Sequence, residues 1–249
     1  MSQMLQQLWS NGTIALAVWE TIYDRLSALI AYVIGLPVGV ILYVTDKGGI
    51  KENLVVNKIV GVIVNIFRSI PFIILMVAFL PVAKAIVGTS TGNKAMIVML
   101  IIAAAPYVAR MTESSLKEVN AGVIEAARSM GASTMQIILK VLLPEAKPSL
   151  IVGAVISTVT ILGYSAMAAT IGGGGLGKIA IIYGYQRFKD DVIWVAVILT
   201  VVIVQIIQEL GMLLAKKSIS GSQKPKRKKA TEKPKPDGKK VIHLKGDKK

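Results

Sequence analysis

Residues 125–144 read EAARSMGASTMQIILKVLLP, a stretch too polar to lie in lipid although the chain around it is strongly apolar. Asn120 precedes the stretch and can cap a helix over residues 121–130, because its side-chain oxygen accepts a hydrogen bond from a free N–H of the first turn. Gly131 supplies the left-handed conformation that commonly ends a helix. The sequence therefore predicts a first short helix that stops at a glycine.

A second short helix is predicted directly after this glycine. Ser133 can begin it, with Gln136 three residues later as its capping-box partner. Pro144 and Pro148 are expected to mark its end. The pair carries apolar side chains beside Arg128 and Lys140, namely Met130, Met135, Ile137 and Ile138. A helix–glycine–helix unit can resemble a DNA-reading motif, but this one lies between apolar segments. It should either pack on its own protein or dock a partner.

The composition indicates an integral membrane protein. Of the 249 residues, 53% are hydrophobic and only 17% are charged, with a mean hydropathy of +0.62. The net charge of +15 would suggest a nucleic-acid partner, but 14 of the 29 basic residues lie from Lys216 onward. We therefore predict a membrane domain over residues 1–217, a disordered basic cytoplasmic tail over residues 218–249, and no nucleic-acid partner. Anionic membrane lipid is an alternative partner for the tail.

Five apolar stretches approach the length of about 20 residues that a membrane-spanning helix needs. They are residues 26–44, 59–83, 95–109, the first two-thirds of 148–177, and 192–215. The second contains Arg68, which should face protein or water rather than lipid, and Pro71, which should kink or start that helix. The fourth is rich in small and hydroxyl residues, which suit helix packing and can also line a solute path. An all-α protein with about five transmembrane helices is predicted.

Lys and Arg are unevenly distributed between the two sets of connecting segments. One set, residues 46–58, 110–148 and the C-terminal residues from Lys216, holds 3, 5 and 14 basic residues, whereas residues 1–24, 84–94 and 172–191 hold 0, 2 and 3. Cytoplasmic loops carry the excess of basic residues. The C-terminus is therefore predicted in the cytoplasm and the N-terminus outside, with the helix pair in a cytoplasmic loop over about residues 111–148.

No enzymatic or cofactor chemistry is indicated. The glycine run over residues 172–177, followed by Lys178, looks like the start of a phosphate-binding loop, but Ile179 stands where such a loop needs Ser or Thr. The chain has no cysteine, and its single histidine, His243, lies in the tail. We expect no catalytic residue, no metal site and no cofactor. The glycine run is better interpreted as a turn where backbones approach closely.

The helix pair resembles the signature of ABC-importer permeases, in which Glu-Ala-Ala, a glycine and a closing Ile-x-Leu-Pro stand at fixed spacing. The matching residues are Glu125, Ala126, Ala127, Gly131, Val141 (in place of Ile), Leu143 and Pro144. Other segments resemble the methionine-importer permease subfamily in particular: WET at 19–21, NIFRSIPFIIL at 65–75, AAPYVARM at 104–111 and GYSAMA at 163–168. The likeness covers about residues 12–215, and Asp24-Arg25 and the tail depart from it.

The resemblance implies a type I ABC-importer permease fold and several partners. Such a permease is a homodimer in the cell membrane, bound to two copies of an ABC ATPase and served by an extracytoplasmic substrate-binding lipoprotein. The signature residues would couple to the ATPase, with Ala126 and Ala127 kept small so that their helix enters a groove. Met167 would form an apolar gate on the path, where we also place Tyr164, Ser165 and Arg68. Arg68 could instead serve structure alone, paired with a glutamate.

Two alternatives to a methionine permease are open on the sequence. The same machinery could carry another amino acid or a small organic solute, because in this family selection rests largely with a separate binding protein. The chain could instead be a membrane-tethered interaction protein that uses its basic tail. The first keeps every structural expectation above, and the second needs none of the path residues.

Overall fold

The computed structural model describes residues 3–222, with side chains placed up to residue 217, and each regular element in that part is helical. The α-helices are, in chain order, α1 (Gln3–Ser10), α2 (Thr13–Tyr23), α3 (Arg25–Thr45), α4 (Leu54–Ser69), α5 (Phe72–Ala78), α6 (Leu80–Val87), α7 (Gly92–Lys117), α8 (Ala121–Ser129), α9 (Thr134–Ile137), α10 (Leu143–Ala168), α11 (Gly175–Lys178) and α12 (Asp190–Ser222). Two π-helical turns, Ile138–Leu142 and Ile179–Tyr185, and a 3₁₀ turn, Ala169–Ile171, join some of them. The all-α prediction is confirmed.

Within the part of the chain that the structure describes, four helical stretches are long and apolar enough to cross a membrane: Thr13–Thr45, Gly92–Lys117, Thr134–Ile171 and Asp190–Lys217. The bent pair α4–α5 makes a fifth if it is counted as one span. The first stretch begins earlier than predicted because Asp24 itself has helical backbone angles and joins α2 to α3 almost without interruption. The predicted tail beyond Ser222 lies outside the described residues.

The second predicted span, over residues 59–83, is sharply bent rather than straight. α4 and α5 meet at an angle of 103° across a short break. Pro71 causes this break, because it lacks an N–H and disfavours helical backbone angles in the residue before it. Ile70 accordingly adopts an extended conformation, with φ −82° and ψ 124°. The kink expected at Pro71 is confirmed, and it leaves Arg68 in the last turn of α4.

α3 and α7 cross at a close contact in the centre of the bundle. Gly35 and Gly39 are four residues apart and therefore share the face of α3 that meets α7. A Cβ atom on Gly35 would lie 2.7 Å from the Ala105 carbonyl oxygen, and one on Gly39 would lie 2.5 Å from that of Ala109. Glycines thus let the two backbones approach, as small residues commonly do between membrane helices.

The prediction that Pro144 and Pro148 end the second helix of the pair is wrong. α9, the π-helical turn and α10 form one stretch of 38 residues, Thr134–Ile171. Pro144 lies in the first turn of α10, and Pro148 lies inside it. A π-helical turn bonds residues five apart instead of four. Proline lacks an N–H, and its ring crowds the carbonyl four residues before it. The π-helical turn directly before Pro144 changes the hydrogen bonds of that segment, so the helix can continue through the proline.

Candidate functional site

The helix pair α8–α9 has the caps that the sequence predicts. The Asn120 side chain accepts a hydrogen bond of 2.8 Å from the N–H of Gly122. Ser133 and Gln136 form the full capping box, because each side chain accepts a hydrogen bond from the other's backbone N–H. Both helices of the pair are therefore started by their own side chains.

Gly131 ends α8 in the left-handed conformation, with φ +80°. The N–H of Gly131 donates to the Arg128 carbonyl at 2.9 Å, and the N–H of Ala132 donates to the Ala127 carbonyl at 3.1 Å. These two bonds form a Schellman motif, which satisfies carbonyls that the helix leaves free. No atom lies within 4 Å of the place where a Cβ on Gly131 would be. Backbone conformation rather than space therefore favours glycine here.

The inward side of the pair packs on a hydrophobic cluster that we term the loop core. Its buried members are Leu116, Val119, Ile124, Ala127, Ile137, Leu142 and Ala146, with Val141 and Leu143 half-buried against them. Of the signature residues, Ala127 thus lies inside the loop, with only 4% of its surface exposed. The small size of Ala127 serves the packing of the loop itself.

The outward side of the pair carries exposed apolar groups, and we term it the docking face. Its large members are Val123, Met130, Met135 and Leu139. Met130 is 81% exposed and Met135 61%, and the signature residues Glu125, Ala126 and Pro144 are exposed as well. Several exposed large apolar side chains on one capped helix pair are typical of a protein interface.

Arg128 ties the helix pair to the loop after α3, and an ion pair joins the end of α3 to α7. Arg128 donates to the Ile50 carbonyl at 2.9 Å. Lys117 forms ion pairs with Asp46 at 3.1 Å and with Glu113 at 2.8 Å. The hydrogen bond from Lys117 holds the pKa of the Asp46 carboxyl below its usual value, so this carboxylate stays charged. These contacts fix the loop after α3 against both the helix pair and α7.

Two of the four predicted path residues share a cavity. The cavity measures about 240 Å³, and its lining includes Arg68, Tyr107 and Tyr164; we term it the aromatic cavity, and its other members are Phe67, Ile70, Phe72, Leu75 and Ala103. The Tyr164 ring stacks on that of Phe72 with 4.7 Å between centroids and 7° between planes. The structure thus brings Arg68, in the last turn of α4, next to Tyr164 of α10.

The other two predicted path residues lie elsewhere on α10. Met167 is 47% exposed and is not part of the cavity lining. Ser165 is buried and donates a hydrogen bond of 2.6 Å to Oδ2 of Asp24. Asp24 is itself 1% exposed, and its Oδ1 has no hydrogen-bond partner within the described residues. Ser165 therefore links α10 to the start of α3 rather than lining the cavity.

A second polar cluster, which we did not select from the sequence, holds the glycine run in place. Glu20 accepts hydrogen bonds of 2.8 Å from the Asn93 side chain and from the N–H of Gly175. The Asn93 side chain in turn accepts a hydrogen bond of 2.8 Å from the N–H of Gly174. A Cβ on Gly174 would collide with the Glu20 carboxylate. The backbone of the glycine run therefore lies close against neighbouring side chains. Ionisable residues inside apolar stretches, such as Glu20 and Asp24, were the signal that could have identified these contacts.

We expect Ser165→Ala to destabilise the protein, because it leaves both oxygens of the buried Asp24 carboxyl without a partner. An unsatisfied buried polar group costs about 1–3 kcal/mol, more when it is charged. Replacing both partners with apolar groups is far less costly. The double variant Asp24→Leu/Ser165→Ala should therefore melt at a higher temperature than Ser165→Ala alone in detergent solution. A double variant that melts lower than the single one would contradict this account of the pair.

Comparison with known proteins places this architecture in a family. Residues 35–217 match the family described as binding-protein-dependent transport system inner membrane component. The probable D-methionine transport system permease protein MetI of Vibrio cholerae serotype O1 is 50% identical over 202 residues, which cover 81% of this chain and 90% of that protein. The methionine import system permease protein MetP of Bacillus subtilis is 47% identical over 174 residues, covering 70% of this chain and 78% of that protein.

Solved structures agree with the fold. One reported as an inward-facing conformation of the MetNI methionine ABC transporter has a TM-score of 0.82 and 46% identity, covering 88% of this chain and 99% of that chain. An amino acid ABC transporter crystallised with histidines has a TM-score of 0.70 at 16% identity, and this match concerns the fold alone. The predicted type I importer fold and the resemblance to ABC-importer permeases are confirmed. This multi-pass membrane protein therefore belongs to the family of binding-protein-dependent transport system inner membrane components.

Proposed function

We propose that this chain is the membrane-spanning subunit of an ATP-binding cassette importer and that it carries methionine, as one or both enantiomers, into the cell. The observation that carries the proposal is the 50% identity to a permease named for D-methionine transport over 81% of the chain. Methionine appears in the names of the relatives from both Vibrio cholerae and Bacillus subtilis. This agreement favours methionine over another amino acid or a small organic solute.

The proposed assembly contains two copies of this chain, two copies of a separate ABC ATPase and a substrate-binding protein outside the membrane. The glycine run is engaged with Glu20 and Asn93 rather than free for a nucleotide phosphate, which supports an energy source on another subunit. The docking face on α8–α9 is the surface that we assign to that ATPase, with Glu125, Ala126 and Gly131 as its central residues.

Transport follows, on this proposal, from the continuity of the helix that carries both the docking face and the path residues. Met135 of the docking face and Tyr164 of the aromatic cavity lie on the single stretch Thr134–Ile171. Closure of two ATPases would move the helix pair, and this helix would carry the movement to the path at its other end. Interfaces with two discrete arrangements turn such small shifts into alternating access.

The orientation that we propose places the helix pair and the C-terminus in the cytoplasm and the N-terminus outside. The excess of Lys and Arg in residues 46–58 and 110–148 supports it. The glycine run and the polar cluster around Glu20 then lie on the outer side, where a binding protein would deliver its substrate.

ATP-dependent uptake into vesicles tests the proposed function. We expect labelled methionine to accumulate in vesicles that contain this chain with its cognate ATPase and binding protein, and no accumulation when ATP is omitted. Deletion of residues 218–249 should leave uptake intact, whereas a tethered interaction protein that acts through its tail would lose its function. Uptake of another solute but not of methionine would overturn the substrate assignment alone.

A further inference from the structure

Arg68 lies far along α4 from the loop that precedes it. It is 14 residues beyond Leu54, the first residue of that helix, which corresponds to about 21 Å at a rise of 1.5 Å per residue. The hydrocarbon core of a bilayer is about 30 Å thick. A cation at this depth is costly unless it faces a partner or a hydrated cavity.

The other arginines of the spans have partners, and Arg68 does not. Arg25 donates to the backbone carbonyls of Thr21 and Thr158. Arg110 pairs with Glu113 and donates to Asn65. Among the described residues, no carboxylate lies within ion-pair distance of Arg68, and no acceptor receives a hydrogen bond from it. The structural alternative of pairing with a glutamate is thereby not realised, and the guanidinium is available to a ligand in the aromatic cavity.

The aromatic cavity has the size and chemistry of a site for one small amino acid. Its volume of about 240 Å³ is well above what a single water molecule needs. Phe67, Phe72 and Tyr164 present aromatic rings, against which a thioether sulfur makes favourable contacts. A guanidinium binds a carboxylate through two parallel hydrogen bonds. Ile70, at the break before Pro71, lines the cavity, and irregular backbone at membrane depth is tolerated where it lines such a space.

We infer that the aromatic cavity is a substrate site within the membrane, in which Arg68 binds the α-carboxylate of methionine and the aromatic rings contact its side chain. This inference rests on the proposed function, since it assigns a resting place on the path of that same substrate. It adds a second recognition step after the binding protein. A methionine derivative that lacks the carboxylate would be delivered but not held here. Tyr164, whose ring stacks on Phe72, belongs to the helical stretch Thr134–Ile171 that also carries part of the helix pair.

The test measures substrate binding without the binding protein. The complex of this chain with its cognate ATPase is reconstituted in lipid nanodiscs, and equilibrium binding of radiolabelled methionine is compared for wild type, Arg68→Gln and Arg68→Lys. Lys84→Gln is the matched control, because it removes one positive charge from an exposed side chain outside the cavity. Any methionine bound by the ATPase subunit is common to all variants and cancels in the comparison. Unlabelled methionine and methioninamide, which lacks the carboxylate, serve as competitors.

We expect Arg68→Gln to weaken methionine binding about tenfold or more, the loss that follows from removing a charge-assisted hydrogen bond. Arg68→Lys should keep part of the affinity, Lys84→Gln should equal wild type, and methioninamide should fail to compete. Unchanged binding in Arg68→Gln, full competition by methioninamide, or no saturable binding in wild type would each overturn the inference. An arginine that contacts only lipid phosphate would give the first of these results. The uptake assay distinguishes the cavity site from the proposed function. If wild type takes up methionine and Arg68→Gln binds it as tightly as wild type, the cavity site is refuted and the proposed function stands.

Discussion

Replacement of Gly131 with Val is expected to abolish methionine uptake while the chain remains in the membrane. Gly131 has φ +80°, a conformation that costs an L-residue about 1–2 kcal/mol and a β-branched residue more. Relief of this strain would break the two Schellman hydrogen bonds and turn α8 relative to α9. The docking face would then no longer present Met130 and Met135 together. The spans themselves should be unaffected, because nothing lies near the added Cβ.

Gly131→Asn is the matched control for this uncoupling, since asparagine tolerates the left-handed conformation far better than valine. We expect Gly131→Asn to keep most of the uptake and Gly131→Val to lose it, with equal amounts of both chains in the membrane by immunoblot. The ATPase activity that the liganded binding protein stimulates should be lost in parallel. Normal uptake by Gly131→Val would remove the argument that the helix pair couples to the ATPase.

Gly39→Ala is expected to destabilise the whole bundle, although alanine usually stabilises a helix interior by about 0.5–1 kcal/mol relative to glycine. The added Cβ would lie 2.5 Å from both the Ala109 carbonyl oxygen and the Thr112 Cβ. Backbone cannot move aside as a flexible side chain can, so α3 would have to separate from α7. Overpacking of this kind costs about 1–3 kcal/mol, and Gly39→Leu should prevent the two helices from assembling at all.

Gly61→Ala provides the control, because its Cβ would meet its nearest atoms at 3.6 and 3.8 Å, which is ordinary van der Waals contact. Melting temperatures in detergent should fall for Gly39→Ala and stay equal or rise for Gly61→Ala. Size-exclusion chromatography should show Gly39→Leu as aggregated or absent. A Gly39→Ala protein as stable as wild type would mean that α3 and α7 are not held at this distance.

The features that the sequence predicted most accurately are those whose physical cause is local. Asn120, Gly131 and the Ser133–Gln136 box act on atoms within four residues of themselves, so their patterns sufficed to outline the helix pair. The apolar stretches were recognisable for a similar reason, because a span must satisfy its backbone hydrogen bonds within itself.

Prolines account for the main differences between the predicted and the observed helices. A kink is expected at Pro71, but only the structure shows that the apolar run bends there by 103°. Pro144 was expected to stop a helix that in fact continues, because a π-helical turn precedes it. The effect of a proline depends on whether the surrounding helix can rearrange its hydrogen bonds, and this depends on packing.

The polar contacts between distant helices required the tertiary structure. Asp24 accepts a hydrogen bond from Ser165, which lies 141 residues later in the sequence, and Glu20 accepts one from Gly175, 155 residues later. No periodicity or cap encodes such distances, so the sequence could mark these residues only as polar groups in apolar surroundings. The sequence by itself determined that this is a multi-span membrane protein with a capped, glycine-ended helix pair between two spans. Only the folded chain decided that the pair continues into α10 and that Arg68, beside Tyr164, has no ion-pair partner among residues 3–217, because helix crossings bring together side chains that are remote in sequence.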